Sequence, residues 1–313
     1  MDKVACQVCQ LEASDDKSLH KHLKVHDLRI AEYYQKYHPK LDLHDKSLIK
    51  FKNKDQYLSS DFNTRQNLKS WLESVDKEEA KKYCAEILQK RKDKKKLIYT
   101  PSQVELRTTM FPLVHYYNSL FGSYYDLCEK LGFKNKYKFF DNVLLGKDFY
   151  NKSYSIYADT REQKPLKFNR NVEIKTLNVG DYSLSDSTIT CNCHVERKSL
   201  SDFISTLSVK NFERFEREIE RAAENNIYLI ILVEDSLNNA LSFRYLPYIS
   251  KKIQVTPEFV FHNVRTLIQK HNHIQFLFVK DRKEASRVIE RIFFSECEYQ
   301  KIDLQSAYDL KKL

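Results

Sequence analysis

The spacing of apolar and polar residues changes period near residue 153. Upstream it is helical. Ile30, Tyr33 and Tyr34 mark an amphipathic segment over 28–37 that stops at His38-Pro39. Leu68, Trp71 and Leu72 mark another, and Ala80, Tyr83, Cys84 and Ile87 continue the pattern to about Lys90, so residues 41–100 read as helical and lysine-rich. Pro101-Ser102 is a helix-start signal, followed by Leu106, Met110, Leu113, Tyr117 and Leu120, with Pro112 placed to kink or restart that helix. A Phe121-Gly122-Ser123 turn and a short helix to Leu131-Gly132 follow. Downstream the period is two. Residues 154–158 alternate and end at Asp159, 172–177 alternate and turn at Gly180, and 188–195 form a third strand that delivers Glu196. The nearly unbroken apolar run 227–233 predicts a central strand covered on both faces. Helices are expected from Leu200, over 211–224, near 256–271 and near 282–296, with a strand at 274–279. Strands first, then alternation, predict an α/β fold with a mixed sheet flanked by helices.

Composition sharpens this picture at three points. A hydrophobic fraction of 42% in 313 residues supports a real core and about two domains, and only 4 Gly and 6 Pro argue against a loop-rich sandwich. Charge is unevenly placed. Residues 1–152 hold 29 Lys+Arg against 21 Asp+Glu, a surplus of 8, whereas the remainder holds 24 against 22, a surplus of 2. A basic first half suggests a grip on a polyanion. No apolar run reaches the ~20 residues of a membrane span, residues 1–6 show no apolar signal segment, and seven cysteines do not form a paired framework. An intracellular, non-secreted protein with no membrane partner is expected.

The chemistry gathers in the second half. Asp159-Thr160-Arg161-Glu162, Gly180-Asp181 and Glu196-Arg197-Lys198 are delivered by successive predicted strands. Several carboxylates and one lysine suit metal-assisted cleavage of a phosphodiester, because oxygen ligands hold Mg²⁺ or Mn²⁺ and an ammonium shields charge growing on phosphorus. Lys198 lies two residues after Glu196, so both share one face of a strand, and Arg197 faces the other way, towards a scaffold or a phosphate. Asp202 joins the acidic set, but with Ser199 it also fits a capping-box-like helix start.

Residues 153–295, slightly under half the chain, resemble the nuclease domain of the XPF family, a branch of the PD-(D/E)XK nucleases. The family pattern of Gly-Asp, a gap, Glu-Arg-Lys, three residues and Asp is filled by Gly180, Asp181, Glu196, Arg197, Lys198 and Asp202, and its upstream Asp-x-Arg-Glu by Asp159, Arg161 and Glu162. The resemblance implies a restriction-endonuclease-like sheet and a DNA endonuclease that leaves a 5′-phosphate. It assigns Asp181 and Glu196 as Mg²⁺ ligands, with Asp159 or Glu162 completing the cluster and Lys198 positioning the attacking water or stabilising the transition state. Pairing of nuclease domains, and hence a homodimer, is a further implication.

Cys6-x2-Cys9-x12-His22-x3-His26 has the spacing of a two-Cys two-His zinc finger, with structural Zn²⁺ expected. Leu19 fits its core leucine, but Ala13 stands where the finger's aromatic is usual, and His20 is an alternative ligand. Cys191, Cys193 and His194 are better read as packing. Residues 101–132 resemble homing-endonuclease-associated repeats, and the finger followed by Tyr33-Tyr34-Gln35-Lys36-Tyr37 is similar to fingers of phage-encoded proteins. The expected map is a zinc finger with following helix (1–40), a basic helical region (41–100), a helical repeat (101–135), a linker (136–152), the nuclease domain (153–296) and a tail (297–313). Arg107, Arg161, Arg214 and the run Lys94, Lys95, Lys96 are the expected contacts to double-stranded DNA, with a solvated face as the competing reading for the lysine run and Arg214. These accessory modules, the finger and the repeat, favour a site-directed, homing-type enzyme. A nuclease for flaps, forks or junctions is the alternative, set back because this sequence shows neither the tandem helix-hairpin-helix nor the helicase domain of XPF relatives; a non-catalytic DNA-binding partner is a third reading. Phage origin would place the protein in a bacterial cytoplasm, and otherwise in a nucleus.

Overall fold

The computed structural model describes residues 4–138, 154–184, 192–294 and 298–313. The chain divides into two compact units, residues 1–80 and 81–313. Most of the expected linker and Cys191 fall outside the described residues.

In the first unit, β1 (Val4–Ala5) pairs antiparallel with β2 (Glu12–Ala13). Helix α1 (Asp16–His22) is capped by Asp15, whose carboxylate accepts from the Ser18 N–H at 2.7 Å. A 3₁₀ turn (Leu23–His26), α2 (Ile30–Tyr37), α3 (Lys54–Ser59) and α4 (Arg65–Ser74) follow. The core joins Cys6, Leu19, Leu23, Tyr33 and Tyr34 to Ile49 and Tyr57. The boundary expected at residue 40 therefore runs through a single core. Tyr57 closes it, donating to the His38 carbonyl at 2.9 Å while accepting from the Lys40 N–H. Residues 41–53 are not helical as expected. Buried Asp42 accepts from the backbone N–H groups of His44 and Asn63 and from the Asn67 amide, a local bonding scheme that competes with a helix.

The second unit begins inside α5 (Lys77–Lys95) and continues through α6 (Gln103–Thr108), α7 (Val114–Phe121) and α8 (Tyr124–Lys130). Pro112 does restart the helix, in the gap between α6 and α7. The sheet then forms from β3 (Ile156–Asp159), β4 (Val172–Lys175), β5 (Tyr182–Leu184) and β6 (Cys193–Lys198). After α9 (Leu200–Thr206) and α10 (Phe212–Glu224) come β7 (Tyr228–Val233), α11 (Leu237–Leu241), α12 (Pro257–Lys270), β8 (Ile274–Phe278), α13 (Arg282–Phe294) and α14 (Leu304–Asp309).

The six strands are ordered β4-β3-β5-β6-β7-β8. β3–β4, β6–β7 and β7–β8 are parallel, whereas β5 is antiparallel to both β3 and β6. All six residues of β7 are buried, as its apolar run demands. Alternate side chains serve two cores. Leu229, Ile231 and Val233 pack with Phe215, Ile219, Val260 and Leu267; Ile230 and Leu232 pack with Val288, Ile292 and Leu304.

Residues 302–307 belong to that second core, so the expected tail is a structural element. Gln305 exchanges hydrogen bonds with the backbone of Phe278, and Gln275 reaches the Ile302 carbonyl, which covers the open edge of β8. The expected repeat is equally integrated. Gln103 N–H donates to Asp303 at 2.5 Å, Gln269 bridges the Tyr99 carbonyl and Glu105, and Lys136 donates to the carbonyls of Ile268 and His271. Burial holds the Glu105 carboxyl above its ordinary pKa, pushes Asp303 up to about 7 and brings Lys136 down to about 8.

Candidate active site

The site is built where β5 and β6 meet. Gly180 has φ +79°, and a Cβ there would stand 3.1 Å from the Val195 carbonyl oxygen, so only glycine lets the chain turn against β6. The next residue is then fixed three times. Asp181 N–H donates to the Val195 carbonyl, the Asp181 carbonyl accepts from the Asp159 N–H, and its carboxylate Oδ2 accepts from the Arg197 N–H at 2.7 Å. Asp181 thus sits between the ends of β3 and β6. Burial, the Glu196 charge and, more weakly, Glu162 push its carboxyl up to about 7.

Glu196 and Lys198 form a pair at 2.8 Å, with side chains 13% and 12% exposed. The Lys198 ammonium also lies 5.2 Å from the centre of the Phe215 ring on α10. Strand alternation sends Arg197 elsewhere, as its spacing predicts. Its guanidinium is clamped between Glu162 at 3.0 Å and Glu234 at 2.9 Å, all three largely buried, and Arg282 approaches Glu234 from beyond at 3.6 Å. Of the two readings open for Arg197, scaffold is the one with partners.

Two expected acids are committed to other groups. Asp159, 2% exposed, accepts from the backbone and guanidinium of Arg161 and from the Leu177 N–H. Although burial opposes it, these donors hold Asp159 below its ordinary pKa. Its oxygens are engaged in stabilising a turn. Glu162 is likewise held by both oxygens on Arg197. Asp202 is exposed, receives the Ser199 hydroxyl at 2.7 Å and accompanies the N-cap of α9, so the capping alternative describes its contacts.

Glu234 and Glu218 escaped the sequence reading. Glu218 on α10 is pushed above its ordinary pKa by burial and by the Glu196 charge, and is eased by Lys198. The available signal was helical phase. Phe215, Ile219 and Ala222 are the buried stripe, and Glu218 precedes Ile219 on the edge of that stripe.

The expected DNA contacts divide. Arg161 ties Asp159 but keeps 68% of its side chain exposed, and Arg214 is exposed. Lys94 and Lys95 end α5 in solvent and Lys96 follows, with φ 51°. Arg107 does not belong with them. It pairs with Asp309 at 3.5 Å and donates to the Asn238 side chain, which joins α6 to the sheet domain.

Separately, in the first unit, the donor atoms of Cys6, Cys9, His22 and His26 all lie within 4.8 Å of one another. Cys9 Sγ stands 3.2 Å from His22 Nε2, which stands 3.1 Å from His26 Nε2. A two-thiol, two-imidazole set at such spacing suits a tetrahedral ion. His20 lies outside this set and packs edge-on against Tyr34. Cys193 is buried in the sheet core and His194 Nδ1 meets the Val179 carbonyl at 2.6 Å, as packing residues do.

The strand register, the Gly180 turn and the Glu196–Lys198 pair are the setting for comparison with known proteins. Residues 158–292 match the ERCC4 domain. The matched span includes Asp159, Arg161, Glu162, Asp181, Glu196, Arg197, Lys198 and Asp202; the zinc-type cluster and α5 to α8 lie outside it. Two solved structures are similar over less than half of this chain. XPF from Aeropyrum pernix is 23% identical over 46% of this chain and 68% of its own, with a TM-score of 0.33. XPF from Aeropyrum pernix in complex with DNA is 25% identical over 44% of this chain and 61% of its own, with a TM-score of 0.32. No curated protein matches. Among the described residues, no helix is long and apolar enough to cross a membrane.

Proposed function

We propose that this protein is a divalent-metal-dependent DNA endonuclease whose ERCC4 domain cuts at branched, flapped or forked DNA. The observation that carries the reading is the Arg197 N–H to Asp181 bond, which fixes a half-buried carboxylate beside the Glu196–Lys198 pair. Asp181 and Glu196 fit a hard cation. Both donors are oxygens, and burial with mutual repulsion leaves Asp181 reluctant to ionise until positive charge arrives. They would hold Mg²⁺ or Mn²⁺, which when bound polarises the scissile phosphate and lowers the pKa of a water.

The chain's own groups do the rest. Glu196 holds the Lys198 ammonium at 2.8 Å, and the Phe215 ring backs it, so the cation is presented in one orientation. There it orients the attacking water or shields the charge that accumulates on phosphorus. Arg197, neutralised by Glu162 and Glu234, keeps β6 in register with the turn at Asp159 and the end of β7. Arg161 and Arg214 offer exposed guanidinium groups to backbone phosphates. Cys6, Cys9, His22 and His26 would hold Zn²⁺ as a structural ion that completes the core of the first unit.

The way α6 is used supports structure-directed over site-directed cutting. The homing-type reading drew on the zinc finger and on residues 101–132 as accessory DNA-binding modules, yet Gln103, Glu105 and Arg107 are engaged with Asp303, Gln269 and Asp309. A helix bonded in this way braces the nuclease domain. The test is cleavage in Mg²⁺ of a linear duplex, a flap, a fork and a plasmid of random sequence. Cuts confined to the branch points are expected; discrete cuts in linear duplex would restore the site-directed reading.

A further inference from the structure

β7 ends at Val233, in register with Lys198 of β6. The chain that leaves the sheet there runs from the candidate active site into α11, a 3₁₀ turn (Phe243–Tyr245) and the loop that precedes α12. It is anchored in two consecutive places. Glu234 holds Arg197 at 2.9 Å, and Asp235, buried, accepts from the Tyr248 hydroxyl at 2.6 Å and from the Asn239 amide at 2.8 Å. Residues 243–253 are therefore positioned through the same backbone that positions the Glu196–Lys198 pair.

That segment carries a groove of about 380 Å³, within the ~300–1,000 Å³ of ordinary ligand sites. Buried Phe243 and Ile249 line it, Tyr245 stands beside it 88% exposed, and Arg244 and Lys251 are exposed on its rim. The exposed Tyr245 ring at the edge of an apolar groove offers a face on which a flat partner can stack. Two cations beside it select an anionic partner. A nucleobase with its phosphates offers both.

We propose that this groove receives an unpaired nucleotide of the DNA substrate, its base stacked on Tyr245 and its phosphates on Arg244 and Lys251. The proposal rests on the nuclease reading and supplies what that reading lacks, a group that distinguishes a frayed or flapped strand from intact duplex. Base–aromatic stacking tolerates any sequence, which suits recognition of structure over sequence.

The test uses the full chain in buffer without Mg²⁺ or Mn²⁺ and a flap oligonucleotide with 2-aminopurine in its single-stranded arm. Wild type is expected to change the 2-aminopurine emission on binding. Tyr245→Ala should abolish that change and bind the flap about tenfold more weakly; Tyr245→Phe should keep both, and both variants should bind a fully paired duplex as wild type does. Arg244→Ala with Lys251→Ala should weaken flap binding and flatten its salt dependence. An emission change that survives Tyr245→Ala, or an equal loss on flap and duplex, would overturn the groove. So would sedimentation showing that Tyr245→Ala dissolves a dimer, since the groove would then belong to a second copy. Stacking without any cleavage in Mg²⁺ would support the groove and remove the nuclease reading, so the two fail separately.

Discussion

The Arg197 N–H donates to Asp181 at 2.7 Å while the Arg197 guanidinium, on the other side of β6, is clamped by Glu162 and Glu234. One residue thus secures the acid pocket with its backbone and the sheet with its side chain. The two jobs can be separated, because a substitution removes the guanidinium and leaves the N–H.

Arg197→Ala leaves the largely buried Glu162 without this cation and Glu234 with the longer contact to Arg282. A loss of about 3–5 kcal/mol is expected from breaking such a buried pair, measured as a lower urea midpoint. Adding Glu162→Gln and Glu234→Gln to that variant should recover part of it. A single variant as stable as wild type would mean the clamp contributes nothing.

Gly180→Ala places a methyl group against the Val195 carbonyl at a φ that side chains rarely adopt. The expected cost is about 1–3 kcal/mol for the forced backbone, read from thermal unfolding. Because Asp181 is the next residue, the rate of cleavage should fall further than stability alone explains.

Asp181 gives a pH signature. Its folded pKa, about 7, lies above the ordinary carboxylate value, so between roughly pH 4 and 7 the metal-free folded state binds a proton that the unfolded chain has released. Metal-free stability should therefore decline as pH rises through that window and level off above it. Buried Asp303 slopes the same way, so the difference between wild type and Asp181→Asn isolates the effect. Unfolding curves in Mg²⁺-free buffer that stay parallel across this range would count against the half-buried, proton-holding carboxylate.

The cysteine–histidine cluster predicts one zinc per chain. Cys9→Ser should lose the ion and the hydrogen-exchange protection of α1 and α2, while β7 stays protected. Retained protection in α2 after loss of zinc would show that Tyr33, Tyr34 and Tyr57 hold that core without metal.

Much of the nuclease half was legible because its signals are physical. The apolar run over 227–233 has no use except as a doubly covered strand, and the Phe215, Ile219, Ala222 stripe fixes the face of α10. Glu196 and Lys198 share a face by strand parity alone. What escaped was short or non-local. β5 has three residues, too few for a period. α14 has six residues and is placed by Gln275 and Gln305, contacts that no local pattern announces. The same holds for Arg107, whose partner Asp309 lies some two hundred residues away in sequence. Asp159 is the opposite case, since its partner Arg161 is a close neighbour in sequence.

The most direct test is Mg²⁺-dependent cleavage of a labelled flap duplex by wild type, Glu196→Gln and Lys198→Ala, with binding of the same DNA followed in parallel. Each variant should bind the flap as wild type does and cut it at least ~100-fold more slowly. Wild-type cutting by either variant, or a wild type that binds the flap and never cuts it in Mg²⁺ or Mn²⁺, would contradict the site.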